Sequence, residues 1–145
     1  MKYVIFAEDD RDDQLFLSMA LEECGSEIKA SFVSDGVELM TELRFINKKP
    51  DVIFLDLNMP LKSGIECLKE IRATKSIREC AVIILTTSSS ASDIDLCYTC
   101  GANLFVTKPF DVGTLGRVLK RVISLVPSLR NPIDKNQFVM NTGAA

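Results

Sequence analysis

The chain has 145 residues, 47% of them hydrophobic and 26% charged, with a formal net charge of −3; this is the composition of one ordinary globular domain, large enough to bury a core without disulfides or a structural metal. The acidic balance and the lack of any basic run exclude nucleic-acid binding by the domain itself, because phosphate neutralisation needs clustered Lys and Arg. No apolar stretch approaches the roughly 20 residues that span a bilayer, and Met1-Lys2 leads straight into a short apolar run ending in acids, so a cytoplasmic protein without signal peptide or membrane span is expected.

The first apolar run, Lys2–Ala7, reads as a buried strand and is followed at once by Glu8-Asp9-Asp10. Residues 12–24 carry Leu15, Phe16, Met19 and Ala20 at helical spacing, and Gly25 closes that helix. Ile28–Val33 is a weaker second strand. Ser34-Asp35-Gly36 starts a helix over 37–46 with Leu39, Met40, Leu43 and Ile46 on one face, and Lys48-Lys49-Pro50 breaks it. Val52–Leu55 is a buried strand ending at Asp56. The rhythm then repeats: a loop over 59–64, a helix over 64–74, a strand over 81–85, the run Thr86-Thr87-Ser88-Ser89-Ser90, a helix over 91–100 ended by Gly101, a strand over 103–107, and a last helix, Val112–Leu125. Strands apolar throughout are buried on both faces, so five strand–helix alternations predict a doubly wound α/β fold with a parallel sheet. The pattern fades after 126. Residues 1–126 are taken as one domain, and 127–145 as a tail, loose and polar over 131–145, that is too short for an output domain.

Ligands of such sheets gather at the carboxyl ends of the strands. Glu8 and Asp9 follow the first strand, Asp56 the third, Thr86 the fourth and Lys108 the fifth. Three packed carboxylates repel unless a cation offsets them, and oxygen ligands of this kind suit Mg²⁺. A carboxylate is also a nucleophile toward phosphorus. The transferring phosphoryl group needs positive charge and donors around its oxygens, which Mg²⁺, Lys108 and the Thr86 hydroxyl would supply.

Four segments, Val4-Ile5-Phe6-Ala7-Glu8-Asp9, Asp56-Leu57-Asn58-Met59-Pro60 with Gly64, Leu85-Thr86-Thr87, and Lys108-Pro109-Phe110, stand in an order and spacing that resembles the receiver domains of two-component response regulators. Each is weak alone; together they are specific, and they cover about residues 2–126. Among these, the chain looks most like the single-domain regulators partnered with phytochrome-type sensor kinases. The resemblance implies a flavodoxin-like receiver fold with strand order 2-1-3-4-5. It makes Asp56 the phosphoacceptor, Glu8 and Asp9 Mg²⁺ ligands with Asp56, and the Asn58 backbone carbonyl a further ligand. Thr86 and Lys108 would hold the phosphoryl group, the Lys108–Pro109 peptide would be cis, and Phe105 takes the switch-aromatic position. Implied partners are a sensor histidine kinase or histidine phosphotransfer protein, and a downstream protein on the face of the fourth helix, fifth strand and fifth helix, which is also the candidate surface for a homodimer. Two departures stand out: Glu8 replaces the frequent Asp, and Phe105 the frequent Tyr. The chain has no histidine, so it cannot itself be a histidine phosphodonor.

Plainer readings compete. Asp10, Asp12 and Asp13 suit the first turn of a helix, where acids are favoured, and the serines after Thr87 suit a loop and helix cap. Cys97 and Cys100 have C-x-x-C spacing but lie at a helix C-terminus, away from the dipole end that activates thiols, and no His or second pair completes a zinc site. All five cysteines are read as free. An aspartyl-nucleophile phosphatase or phosphotransferase would need an acid two residues after Asp56, where Asn58 stands. A flavodoxin-type phosphate loop would not place acids after the first strand. A phosphate-independent docking receiver would not need the complete set.

Overall fold

The computed structural model describes residues 1–129 and 133–140. Its elements are β1 (Lys2–Ala7), α1 (Arg11–Leu21), β2 (Ile28–Val33), α2 (Gly36–Phe45), β3 (Val52–Leu55), α3 (Gly64–Ala73), β4 (Ala81–Thr86), α4 (Ala91–Thr99), β5 (Leu104–Thr107), α5 (Val112–Leu125) and β6 (Val139–Met140). The strands form one sheet in the order β2-β1-β3-β4-β5-β6, and each neighbouring pair is parallel. The doubly wound parallel sheet and its first five positions are those expected.

Strand side chains alternate between two cores. Ile5, Ala7, Ile53, Leu55, Val82, Ile84 and Phe105 face one, shared with Leu39 and Leu43 of α2, Leu68 and Ile71 of α3 and Cys97 of α4. Val4, Phe6, Val52, Phe54, Ile83, Leu85, Leu104 and Val106 face the other, closed by Leu17 and Ala20 of α1 and by Leu115, Leu119, Val122 and Ile123 of α5. Phe6 stacks on Phe54 at 4.8 Å and on Phe32 at 5.2 Å between ring centroids. Each of the five α-helices opens on an Asp or Ser whose side chain accepts a first-turn N–H: Asp10, Asp35, Ser63, Ser90 and Asp111.

Differences from the sequence reading are local, with one exception. The first helix ends at Leu21 and tightens into a 3₁₀ turn, Glu22–Cys24, before Gly25 at φ 85°. β4 extends to include Thr86. Asn103 precedes β5 with its side chain buried, its Oδ1 accepting from the Val82 N–H at 2.8 Å and from Arg72 at 2.8 Å. The exception is the tail. A loose tail over 131–145 was expected; instead, residues 133–140 return to the sheet, where β6 pairs with β5 and Phe138 is fully buried. Residues 131, 132 and 141–145 of that expectation lie outside the described residues.

At the amino-terminal end of the sheet, Arg72 holds α3 to the β4 and β5 entries. Its guanidinium donates to the carbonyls of Gly101, Arg78 and Cys80 and to Asn103 Oδ1, all within 2.8 Å.

Candidate functional site

Register brings the acids together. Ala7 pairs with Leu55, so Glu8 and Asp56 leave adjacent strands side by side. The Asp56 N–H donates to Ala7 O at 3.1 Å and the Glu8 N–H to Val33 O at 3.0 Å. Carboxylate oxygens of Glu8, Asp9 and Asp56 all lie within 4.8 Å of one another. Glu8 and Asp56 are 3% and 8% exposed, whereas Asp9 faces solvent. The adjacent Asn58 is also exposed.

The fifth strand delivers the cation. Thr86 pairs with Thr107, and the Lys108 N–H donates to Thr86 O at 2.8 Å. Lys108 Nζ then reaches Glu8 Oε1, Asp56 Oδ2 at 3.4 Å and Asp13 Oδ2 at 3.2 Å. One ammonium thus faces three carboxylates, with Asp9 a fourth acid beside them. Burial pushes the Glu8 carboxyl up to about 7; hydrogen bonds from Lys108 and the Asp10 N–H offset only part of that rise. Burial alone would lower the Lys108 pKa, but the bond to Glu8 and the charge of Asp56 outweigh it and raise it. The oxygen-only donors and the excess of negative charge fit a hard divalent cation.

Thr86 is fully buried and its Oγ1 accepts weakly from the Ser88 N–H at 3.5 Å. Phe105 is fully buried too. It pairs with Ile84, two residues before Thr86, so Thr86 and Phe105 are diagonal neighbours on one face of the sheet. The serines serve as loop and cap: Ser88 Oγ donates to Asp93 Oδ2 at 2.6 Å, its carbonyl accepts from Thr107 Oγ1 at 3.3 Å, and Ser90 caps α4. Cys97 is buried, with its thiol pushed up to about 12 by burial, which suits packing and not reactivity.

Sequence reasoning missed two contributors. Asp13 was taken only as a first-turn acid, yet its side chain meets Lys108. Gln14 donates through Nε2 to Glu8 O at 2.6 Å and to Ser34 Oγ at 3.1 Å, bracing the end of β1. Spacing sets the first turn of α1 over the strand ends, because the helix starts so soon after Asp9, but not which of its side chains turns toward Lys108. Asp10, by contrast, is the N-cap, accepting from the Asp12 N–H at 2.8 Å and the Asp13 N–H at 3.3 Å. A cleft of about 280 Å³ opens beside Lys108 between Asp12, Phe16, Thr87 and Phe110. The larger cleft, about 450 Å³, lies at the opposite end around Arg72, remote from this chemistry.

Gly64 fixes the approach of α3. A Cβ built there would stand 2.2 Å from Asp56 O and 2.8 Å from Leu57 Cα, so the helix start and the chain leaving Asp56 touch backbone to backbone.

Comparison with known proteins gives one family. The model of the response regulator receiver domain matches residues 4–120. Response regulator Rcp1 of Synechocystis is 27% identical over 128 residues, covering 85% of this chain and 87% of Rcp1. The peroxide stress-activated histidine kinase mak2 of Schizosaccharomyces pombe is 33% identical over 135 residues, 89% of this chain but 6% of that kinase. Among solved structures, the phosphorylated cyanobacterial phytochrome response regulator RcpA superposes with a TM-score of 0.80 at 29% identity, over 91% of this chain and 99% of RcpA. The Mn²⁺-bound form of Rcp1 gives 0.77 at 25% identity, over 92% and 100%.

Proposed function

The chain belongs to the response regulator receiver family, and from that premise we propose that Asp56 is its phosphoacceptor, working with Mg²⁺ held by Glu8, Asp9, Asp56 and the Asn58 carbonyl. The observation that carries this reading is the cluster of Glu8, Asp9 and Asp56, whose carboxylate oxygens lie within 4.8 Å of one another, with Lys108 in contact with Glu8 and Asp56. A phosphatase of the aspartyl-nucleophile type is not favoured, since the position of its second acid is Asn58.

In the transfer, an Asp56 carboxylate oxygen bonds to phosphorus while the bond to the donor's imidazole nitrogen breaks, and the imidazole leaves with that electron pair. Mg²⁺ when bound would offset the charge of the acids and the phosphoryl oxygens. Lys108, already at Asp56, supplies a fixed positive charge to the same oxygens, and the Thr86 hydroxyl is the further donor. Drawing Thr86 toward the phosphate changes the packing next to Phe105, which carries the change toward α4, β5 and α5. The donor is a sensor histidine kinase or histidine phosphotransfer protein, and the reader of the signal is a protein that binds this face. The fold contains no helix long and apolar enough to cross a membrane among the described residues.

The test is intact-mass spectrometry after incubation with acetyl phosphate and Mg²⁺. One phosphoryl group is expected, stable in acid and lost in base, and absent from Asp56→Asn. Undiminished labelling of that variant would remove Asp56 from the role.

A further inference from the structure

Residues 133–140 occupy the face through which a receiver of this kind would signal. The Phe105 N–H donates to Phe138 O at 2.9 Å, and Phe105 and Val106 pair with Val139 and Met140. The Phe138 ring sits edge-on to Tyr98 of α4 at 5.1 Å and tilted against Phe105 at 6.3 Å. Tyr98 Oη donates to Ile133 O at 2.6 Å. Lys135 pairs with Asp95 at 2.9 Å, both side chains more than half exposed.

These contacts are of two kinds. Main-chain bonds, the Tyr98 hydroxyl on Ile133 O, the buried Phe138 ring and the partly buried Ile133 and Met140 hold the segment; the ion pair is solvated and adds little. β6 has only two residues, too few to persist as a strand without its anchor. The anchor rests on Phe105, the aromatic whose position the Thr86 hydroxyl is placed to influence. What moves Phe105 therefore changes the seat of Phe138, and by linkage the seated segment biases Phe105 in return.

We propose that residues 133–140 are an intramolecular ligand of the β5 edge, released when Asp56 is phosphorylated, and that a partner protein then adds there an extended segment carrying an aromatic side chain. The chemistry of the partner is read from the occupant: a parallel strand whose carbonyl accepts from the Phe105 N–H and whose ring fills the slot between Tyr98 and Phe105. Main-chain bonds give such strand addition its affinity and the side-chain slot its selectivity. The inference rests on the phosphoacceptor reading above.

Hydrogen exchange followed by mass spectrometry on the full chain tests it, with intact mass recorded on the same samples. Acetyl phosphate with Mg²⁺ should speed exchange across 133–140 by about tenfold, a size ordinary for coupled sites, and leave Asp56→Asn unchanged. Tyr98→Phe should speed the same segment without altering the label, because it removes only the hydroxyl bound to Ile133 O. A fluorescent peptide with the sequence of 133–140 should bind full-length Phe138→Ser and the phosphorylated parent, bind the unphosphorylated parent at least about tenfold more weakly, and lose binding when its own Phe becomes Ala. Labelled protein with full protection of 133–140 would overturn the inference while leaving the phosphoacceptor reading intact. So would protection retained by passing the segment to a second copy, seen as a labelled dimer in sedimentation. If no label forms at all, the phosphoacceptor reading fails, and the release half of the inference falls with it; the peptide arm on Phe138→Ser, folded by circular dichroism, then decides the docking half alone.

Discussion

Gly64→Ala is the sharpest test of how the fold holds Asp56. Two effects oppose each other. Gly64 is the first residue of α3, and replacing a helical Gly by Ala ordinarily stabilises by up to about 1 kcal/mol. Against this, the new methyl would stand 2.2 Å from Asp56 O and 2.8 Å from Leu57 Cα. Both obstacles are backbone, so neither can rotate aside. Relief requires α3 to move off by about 1 Å, given normal carbon contacts of about 3.5 Å, and the Gly64 N–H bond to Leu57 O at 3.0 Å would loosen with it. Overpacking of this kind costs about 1–3 kcal/mol, and a strained bond adds to it, so the clash wins. A net loss of about 2 kcal/mol is expected in urea unfolding. Acetyl phosphate labelling of Asp56 should slow at least about tenfold, since misplacing a reacting group by about 1 Å costs more than that in rate. A variant that is more stable by about 1 kcal/mol and labels at the parent rate would refute the close-contact reasoning.

Other expectations follow from the same site. Asp9→Ala should weaken Mg²⁺ binding more than Glu8→Ala, because Asp9 is free in solvent while Glu8 is already engaged by Lys108; equal affinities by titration calorimetry would contradict this. The folded pKa of Glu8 is raised from 4.5 to about 7, so the folded state holds the extra proton between those values. Metal-free stability should therefore fall as pH rises from 5 to 7.5, by at most about 1.4 kcal/mol per unit, and Glu8→Gln should flatten that slope; urea unfolding at the two pH values gives the answer. Thr86→Ala should keep much of the labelling at Asp56 yet lose the shift at Phe105 and α4 seen by NMR with beryllofluoride; the same shifts in the variant would show that Thr86 does not carry the signal.

The fold was legible because its strands are short, apolar on both faces and separated by well-capped helices, and because Glu8, Asp56 and Lys108 each follow a strand directly while Thr86 ends one. Once Val52–Leu55 and Lys2–Ala7 are parallel neighbours, Glu8 and Asp56 must emerge together. Side-chain reach was not legible. That Asp13 would turn toward Lys108, or Arg72 thread four acceptors, depends on helix rotation, which spacing does not fix. The return of the tail was hidden for another reason. The apolar residues of 133–140 are Ile133 and the run Phe138-Val139-Met140, split by Asp134-Lys135-Asn136-Gln137, and so short and interrupted a set shows no helical or strand period.

The Arg72 clamp gives the molecule two poles with different sensitivities to the medium. The phosphoacceptor end is organised by like and opposite charges, and added salt or a change of pH alters those forces. At the other end, Arg72 is satisfied by three carbonyls and an amide oxygen, which neither titrate nor attract counterions strongly. Its hold on α3, β4 and β5 should therefore respond little to the gain or loss of phosphate and metal proposed for the far end. The guanidinium plane, with donors fixed in a fork, is what lets one side chain meet four such acceptors; the single ammonium of a lysine could not. In the switch proposed above, the rim that rearranges would be anchored from the opposite rim by contacts that involve no titrating group other than the guanidinium itself.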